Sequence, residues 1–119
     1  MGLHRAIEYF LGRLGGFRYN CAQAVAAAFA ERAGLAQEKP EKYQHCGGGK
    51  APGGMCGALY AAEDILRRVA PESLGSCRTK FIAATGNVAC REIRRLRKAT
   101  CLECVKLVAA ILEEEIPRR

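Results

Sequence analysis

Cysteines are the residues of this sequence that are best suited to chemistry, and the chain of 119 residues has seven of them. The first residues do not form a signal peptide, and no apolar run is long enough to cross a membrane, so we expect a cytoplasmic protein with no membrane insertion. Structural disulfides are rare in that compartment, and an odd number of cysteines argues against a fully paired framework. The cysteines therefore favour thiol redox chemistry or metal ligation.

Four of the cysteines follow signals that begin helices: Cys21, Cys56, Cys90 and Cys101. The corresponding signals are Asn20, the pair Gly53-Gly54, Asn87, and a capping box of Thr100 with Glu103. A helix start offers unpaired N–H groups and the positive end of the peptide dipole, and both favour a thiolate over a thiol. Because thiolate is the form that attacks disulfides and binds metals, we predict that these four cysteines are the catalytic or ligand residues.

Local charge singles out Cys90 among the four. Arg91 and Arg94 follow it closely, and positive charge within a few ångströms favours the anion. The sequence therefore predicts a lowered pKa for Cys90 and makes it the expected nucleophile.

The other three cysteines, Cys46, Cys77 and Cys104, have weaker signals. Cys101 and Cys104 form a C-x-x-C pair on one helical face, which could chelate a metal or act as a redox pair. A thioredoxin-like βαβ context is missing, however, and a zinc ribbon needs two such pairs. Cys104 is therefore interpreted as a core residue. His45 with Cys46 could bind zinc, but His45 is better interpreted as an exposed loop residue.

All the elements that carry these cysteines are predicted to be helical, because apolar residues recur every three or four positions and no strand alternation occurs. The length suits one hydrophobic core. We expect an all-α fold, a compact single-domain bundle of about five to seven helices spanning residues 1–119. Predicted helix ends lie at Gly15 with Gly16, Gly34, Pro71 and Gly86. A loop with five glycines separates Cys46 from Met55 and cannot be regular helix, and a short helix is predicted near Tyr43.

The formal net charge is +7, and five basic residues cluster in one short stretch: Arg91, Arg94, Arg95, Arg97 and Lys98. Such a stretch would attract an acidic partner, an anionic substrate or nucleic acid. No nucleic-acid-binding motif accompanies it, and only eight residues are aromatic, four Tyr and four Phe with no Trp. We therefore interpret the stretch as a solvated helix face, and nucleic acid is the disfavoured partner.

Several segments together resemble the C_GCAxxG_C_C family of redox-active proteins. The similar segments are NCAQAV at 20–25, GGMCGA at 53–58, CREI at 90–93, and Cys101 with the apolar helix after it. They run from about residue 19 to residue 113. The resemblance implies an all-helical fold and a redox role, with Cys21, Cys56, Cys90 and Cys101 as the family cysteines and Cys46, Cys77 and Cys104 as additional ones.

Three functions remain open at this level. In the first, two of the four thiolates cycle through a disulfide, which would make the protein an oxidoreductase with an unidentified redox partner. In the second, the four cysteines bind an iron–sulfur cluster or zinc, either for electron transfer or as a non-catalytic binding module. In the third, the basic surface binds an acidic partner or nucleic acid. The sequence does not identify the cofactor, the electron partner or the oligomeric state.

Overall fold

The protein is described here by a computed structural model covering residues 2–13, 19–29, 43–46 and 51–116. Within these ranges the chain forms six α-helices: α1 Gly2–Leu11, α2 Cys21–Phe29, α3 Gly57–Val69, α4 Leu74–Thr85, α5 Cys90–Leu96 and α6 Cys101–Glu115. Two single 3₁₀ turns, Pro52–Gly54 and Pro71–Ser73, precede α3 and α4. The described ranges contain no strand beyond one isolated bridge, so the all-α prediction is confirmed.

Helix α6 lies at the centre of the bundle and contacts α1, α2, α3 and α4. Its buried side follows the predicted helical spacing, with Val105, Val108, Ile111 and Leu112 all withdrawn from solvent. The largest buried side chains around it come from other helices: Phe29, Leu59, Leu66 and Phe81. Packing against α6 therefore fixes how the other helices are oriented toward one another. None of the described helices is long and apolar enough to cross a membrane.

The helix ends agree with the sequence where local chemistry determines them. The predicted capping box at α6 is present, with the Glu103 N–H donating to Thr100 Oγ1 at 3.1 Å and the Thr100 N–H donating to Glu103 Oε1 at 2.8 Å. Gly86 ends α4 with a φ of 88°, a left-handed conformation that glycine tolerates. Helix α1 ends at Leu11, where Gly12 has a φ of 78°, three residues before the predicted glycines. Some predicted features lie outside the described residues: Gly15, Gly16, Gly34 and most of the short helix predicted near Tyr43.

The predicted cap of α5 is wrong. Asn87 does not cap the helix, because α5 begins at Cys90 with Ala89 as its N-cap. Asn87 Oδ1 instead accepts a hydrogen bond from the Ala89 N–H at 2.9 Å, which is a turn within the connection. Ala89 is extended here, with a φ of −84° and a ψ of 128°, because it pairs with another segment.

That pairing is an isolated antiparallel bridge between Met55 and Ala89. The Cys56 N–H donates to the Val88 carbonyl at 2.7 Å. The bridge lies immediately before α3 and immediately before α5. It therefore holds the starts of these two helices, and the cysteines located there, side by side.

A cavity lined by five cysteines

The four predicted cysteines lie around one small cavity, and a fifth joins them. The cysteines that line it are Cys21, Cys56, Cys90, Cys101 and Cys104. The remaining lining residues are Ile93, Arg94, Ala99 and Thr100. The cavity volume is about 20 Å³, close to the roughly 10–15 Å³ that one water needs. Five thiol side chains thus face a space of about one small molecule or ion.

The structure confirms the prediction that the four cysteines lie at helix starts. Cys21, Cys90 and Cys101 are the first residues of α2, α5 and α6. Cys56 is the N-cap of α3, one position earlier than the others. The Ala58 and Leu59 N–H groups lie close enough to the Cys56 sulfur to lower its pKa, although no regular cap hydrogen bond forms. Four helix starts therefore converge on the cavity.

Gly57 allows α2 and α3 to approach closely at this point. A Cβ on Gly57 would lie 2.7 Å from Cys21 Sγ and 3.3 Å from the Ala22 Cβ, and it would overlap the Cys46 carbonyl oxygen. Any side chain here would push the Cys21 sulfur away from the start of α3. The absence of a side chain at Gly57 thus helps to position Cys21.

Asn20 caps α2 and also holds a neighbouring loop. Its Oδ1 accepts a hydrogen bond from the Gln23 N–H at 2.8 Å, and its own N–H donates to Gln23 Oε1 at 3.1 Å, which is a reciprocal capping box. The Asn20 amide Nδ2 donates to the carbonyls of Tyr43 and Gln44, each at 3.1 Å. The predicted cap is confirmed. The same side chain anchors residues 43–46, whose last carbonyl lies over Gly57.

Burial separates the cavity cysteines into an inner group and an outer one. The exposed fractions are 6% for Cys21, 5% for Cys56, 9% for Cys90 and 3% for Cys104. Cys101 is only half-buried. A solute that approaches from solvent therefore meets Cys101 before the other four sulfur atoms.

The predicted low pKa of Cys90 is wrong. Burial raises the pKa of the Cys90 thiol, and its neighbours Cys101 and Cys56 raise it further. The Arg94 guanidinium lowers this pKa, but not enough to offset burial. The pKa of Cys56 is also raised, first by the side chain of Cys104 and then by burial, despite the two N–H groups at the start of α3.

Arg94 is the cation that lines the cavity. Its Nη2 lies 3.8 Å from Cys101 Sγ, and its pKa is raised by the sulfurs of Cys101, Cys90 and Cys21. Its neighbour Arg95 instead pairs with Glu92 on the same helix, at 2.9 Å. Among the predicted basic residues, Arg94 is thus the one whose charge faces the thiols.

Cys104 belongs to the hydrophobic core, as predicted, and it also lines the cavity, which the core interpretation does not include. The C-x-x-C spacing, which places it one helical turn after Cys101, is the sequence signal for this second position. Cys56 lines the cavity opposite α6, and the side chain of Cys104 is the largest cause of its raised pKa. The sequence alone did not show this contact, because Cys56 belongs to a different helix.

The remaining cysteines lie away from the cavity. Cys77 is fully buried on α4, and burial together with Glu63 and Glu115 raises its pKa to about 11. Cys46 is half-buried, and burial also raises its pKa. His45 is exposed, as predicted, and does not line the cavity.

The cysteine side chains around the cavity are suitable metal ligands, but their sulfur atoms are not arranged around a common point as metal ligands are. Thiolates are preferred ligands of zinc and of iron–sulfur clusters. Yet in the part of the chain that the structure describes, no group of three or more His, Cys, Asp or Glu side chains is arranged to hold a metal ion. A bound metal would need the cavity sulfurs to draw closer together.

The fold and the site define a small helical protein in which converging helix starts carry a cluster of cysteines. The family described as "Putative redox-active protein (C_GCAxxG_C_C)" matches residues 19–115. The chain belongs to this family, and the resemblance seen in the sequence is confirmed. No curated protein and no solved structure matches the chain.

Proposed function

We propose that the protein performs thiol–disulfide redox chemistry with the cysteines of the cavity. The observation that supports this most directly is the convergence of Cys21, Cys56, Cys90 and Cys101 on one cavity. Membership of a redox-active family is consistent with it. Thiols that are neighbours in space can join without large movements of the backbone.

The reaction we propose is a two-electron exchange with a small-molecule disulfide. Two protein thiols are oxidised to one disulfide, and the substrate disulfide is reduced to two thiols that take up the two protons. Attack requires a thiolate that the substrate can reach. Cys101 meets the second condition because it is the least buried of the cavity cysteines.

The positive charge of Arg94 supports the same chemistry. Its guanidinium lies 3.8 Å from Cys101 Sγ, where it can stabilise the thiolate that attacks and the thiolate that leaves. The other four sulfurs are too buried to meet a substrate first. We therefore assign Cys101 as the attacking thiol and the inner cysteines as the groups that complete the disulfide.

A metal site is the second candidate function, because five thiols surround one void. A void of about 20 Å³ can hold a single ion such as zinc, whereas an iron–sulfur cluster would require the helix starts to move apart. In this alternative Cys21, Cys56, Cys90 and Cys101 are ligands and do not exchange with disulfides.

Thiol counting on protein purified without oxygen tests the two candidates together. We expect metal-free protein to lose thiols in pairs on exposure to 2-hydroxyethyl disulfide. Cys101→Ala should slow the loss, because it removes the attacking thiol, whereas Cys77→Ala, which changes a buried cysteine outside the cavity, should not. Seven thiols that persist in metal-free protein would contradict the redox proposal. A stoichiometric metal in elemental analysis, colourless for zinc or brown for iron–sulfur, would establish the second candidate.

A further inference from the structure

Cys104 has the position of a functional thiol although the family pattern does not include it. It lies on α6 one turn after Cys101, is 3% exposed, and lines the same cavity as the four family cysteines. Cys56 lines this cavity from α3, which packs directly against α6. The position of Cys104 beside four other thiols distinguishes it from Cys77, which is buried away from the cavity.

We propose that Cys104 is a working thiol of the cavity and that it forms the stable disulfide of the oxidised protein with Cys56. The inference rests on the proposed thiol–disulfide function and names which cysteines carry it. Both residues line one cavity of about 20 Å³, so joining them in a disulfide requires little movement of the backbone.

Both cysteines are held in place by their own backbones. The Cys56 N–H is bonded to the Val88 carbonyl at 2.7 Å, and the Cys104 N–H is bonded to the Thr100 carbonyl at 3.0 Å within α6. Neither residue lies in a segment that is free to swing toward a different thiol. The pair is therefore set by the packing of α3 against α6.

Electrons would reach this pair through Cys101. In the first step the Cys101 thiolate attacks one sulfur of a small disulfide RSSR, forms a mixed disulfide and releases RS⁻, which takes up a proton. In the second step Cys104 loses its proton and attacks the Cys101 sulfur, which releases a second RSH and forms the Cys101–Cys104 disulfide. Cys56 then attacks Cys104 and returns Cys101 to the thiol. The net change is one RSSR reduced to two RSH, and two protein thiols oxidised to one disulfide.

Each attack in this sequence has a structural basis. Cys101 and Cys104 are three residues apart on one helix, where side chains lie on the same face. Cys56 lines the same cavity as Cys104, and α3 packs against α6, so the last attack joins two residues that face one another across this helix interface. The final disulfide lies in the buried part of the cavity. Its reduction runs the same steps in reverse: Cys101 attacks Cys104 and releases Cys56, and a reductant thiol then attacks the more exposed Cys101–Cys104 disulfide.

Disulfide mapping of the unmodified full chain is the first test. Protein treated with 2-hydroxyethyl disulfide is alkylated and digested without reduction. Trypsin leaves Cys56 as the only cysteine of residues 51–67, and a second cleavage after Glu103 separates Cys101 from Cys104. We expect a linked peptide that joins Cys56 to Cys104. Disulfides among the cavity cysteines that omit Cys104 would overturn this inference but leave the proposed function intact, whereas no disulfide at any cavity cysteine would contradict both.

The second test follows the mixed disulfide by intact mass. In Cys104→Ser, the mercaptoethanol adduct on Cys101 should persist at least about tenfold longer than in the unmodified protein, because the thiol that displaces it is gone. Cys77→Ser is the matched control, since Cys77 is equally buried but lies outside the cavity, and its adduct should clear at the normal rate. An adduct that clears equally fast in Cys104→Ser would show that Cys104 does not resolve it.

Discussion

Substitution of Gly57 by alanine tests directly whether close helix approach forms the cavity. The added methyl group would lie 2.7 Å from Cys21 Sγ and would overlap the Cys46 carbonyl, so α2 and the 43–46 loop must move away from α3. Overpacking of this kind costs about 1–3 kcal/mol. The loss of chain entropy in the unfolded state offsets about 0.4–1 kcal/mol of that cost. The midpoints of these two ranges leave a net destabilisation of about 1.3 kcal/mol, which lowers Tm by roughly 3–8 °C in a chain of this size.

Gly75→Ala is the matched control for this variant. Gly75 also lies in the first turn of a helix, α4, but a Cβ there would meet nothing within 4 Å. The control should be unchanged or slightly stabilised in thermal and urea unfolding followed by circular dichroism. Adding Cys21→Ala to Gly57→Ala should recover part of the loss, because it removes one of the two obstacles. A Gly57→Ala protein as stable as the unmodified chain would refute the close-approach argument.

Two further predictions concern the charges around the thiols. Arg94→Gln should raise the pKa of Cys90 further, because it removes a cation that favours the Cys90 thiolate. Alkylation of Cys90 at a fixed alkaline pH should therefore slow. Arg95→Gln should not slow it, since the Arg95 guanidinium pairs with Glu92. Burial raises the pKa of Cys77 from 9.0 to about 11, so an unfolded chain loses this proton before the folded one does, and stability should fall as pH rises from 9.0 to about 11. That alkaline loss, measured by urea unfolding, should be smaller in Cys77→Ala, and an identical pH profile in both proteins would contradict the assigned burial effect.

The parts of the site that could be predicted from sequence are those set by neighbouring residues. Asn20 and Thr100 are caps whose partners lie three residues away, so the helix starts at Cys21 and Cys101 follow from local chemistry. The helical spacing of α6 is similarly visible as a repeat of apolar residues. These signals were sufficient for the all-α fold and for the position of the cysteines at helix starts.

The parts that could not be predicted depend on contacts between distant segments. The Met55–Ala89 bridge involves one residue pair and leaves no periodic pattern, so the sequence does not show that Asn87 belongs to a turn before α5. The pKa of Cys90 depends on burial, and the sequence shows the nearby arginines but not the helices that cover the sulfur. The sequence indicates that Cys104 is a core residue, but that it also lines the cavity depends on how α6 packs against α3.

The central place of α6 has a consequence for how the protein is made. Ribosomes synthesise chains from the N-terminus, so Cys21, Cys56 and Cys90 emerge before the helix that carries Cys101 and Cys104. Until α6 docks, the early thiols are not enclosed and can cross-link in any combination. Correct folding should therefore depend on reducing conditions during synthesis. The rate at which the buried thiols are alkylated should drop when α6 docks, and this drop can be used to detect the docking.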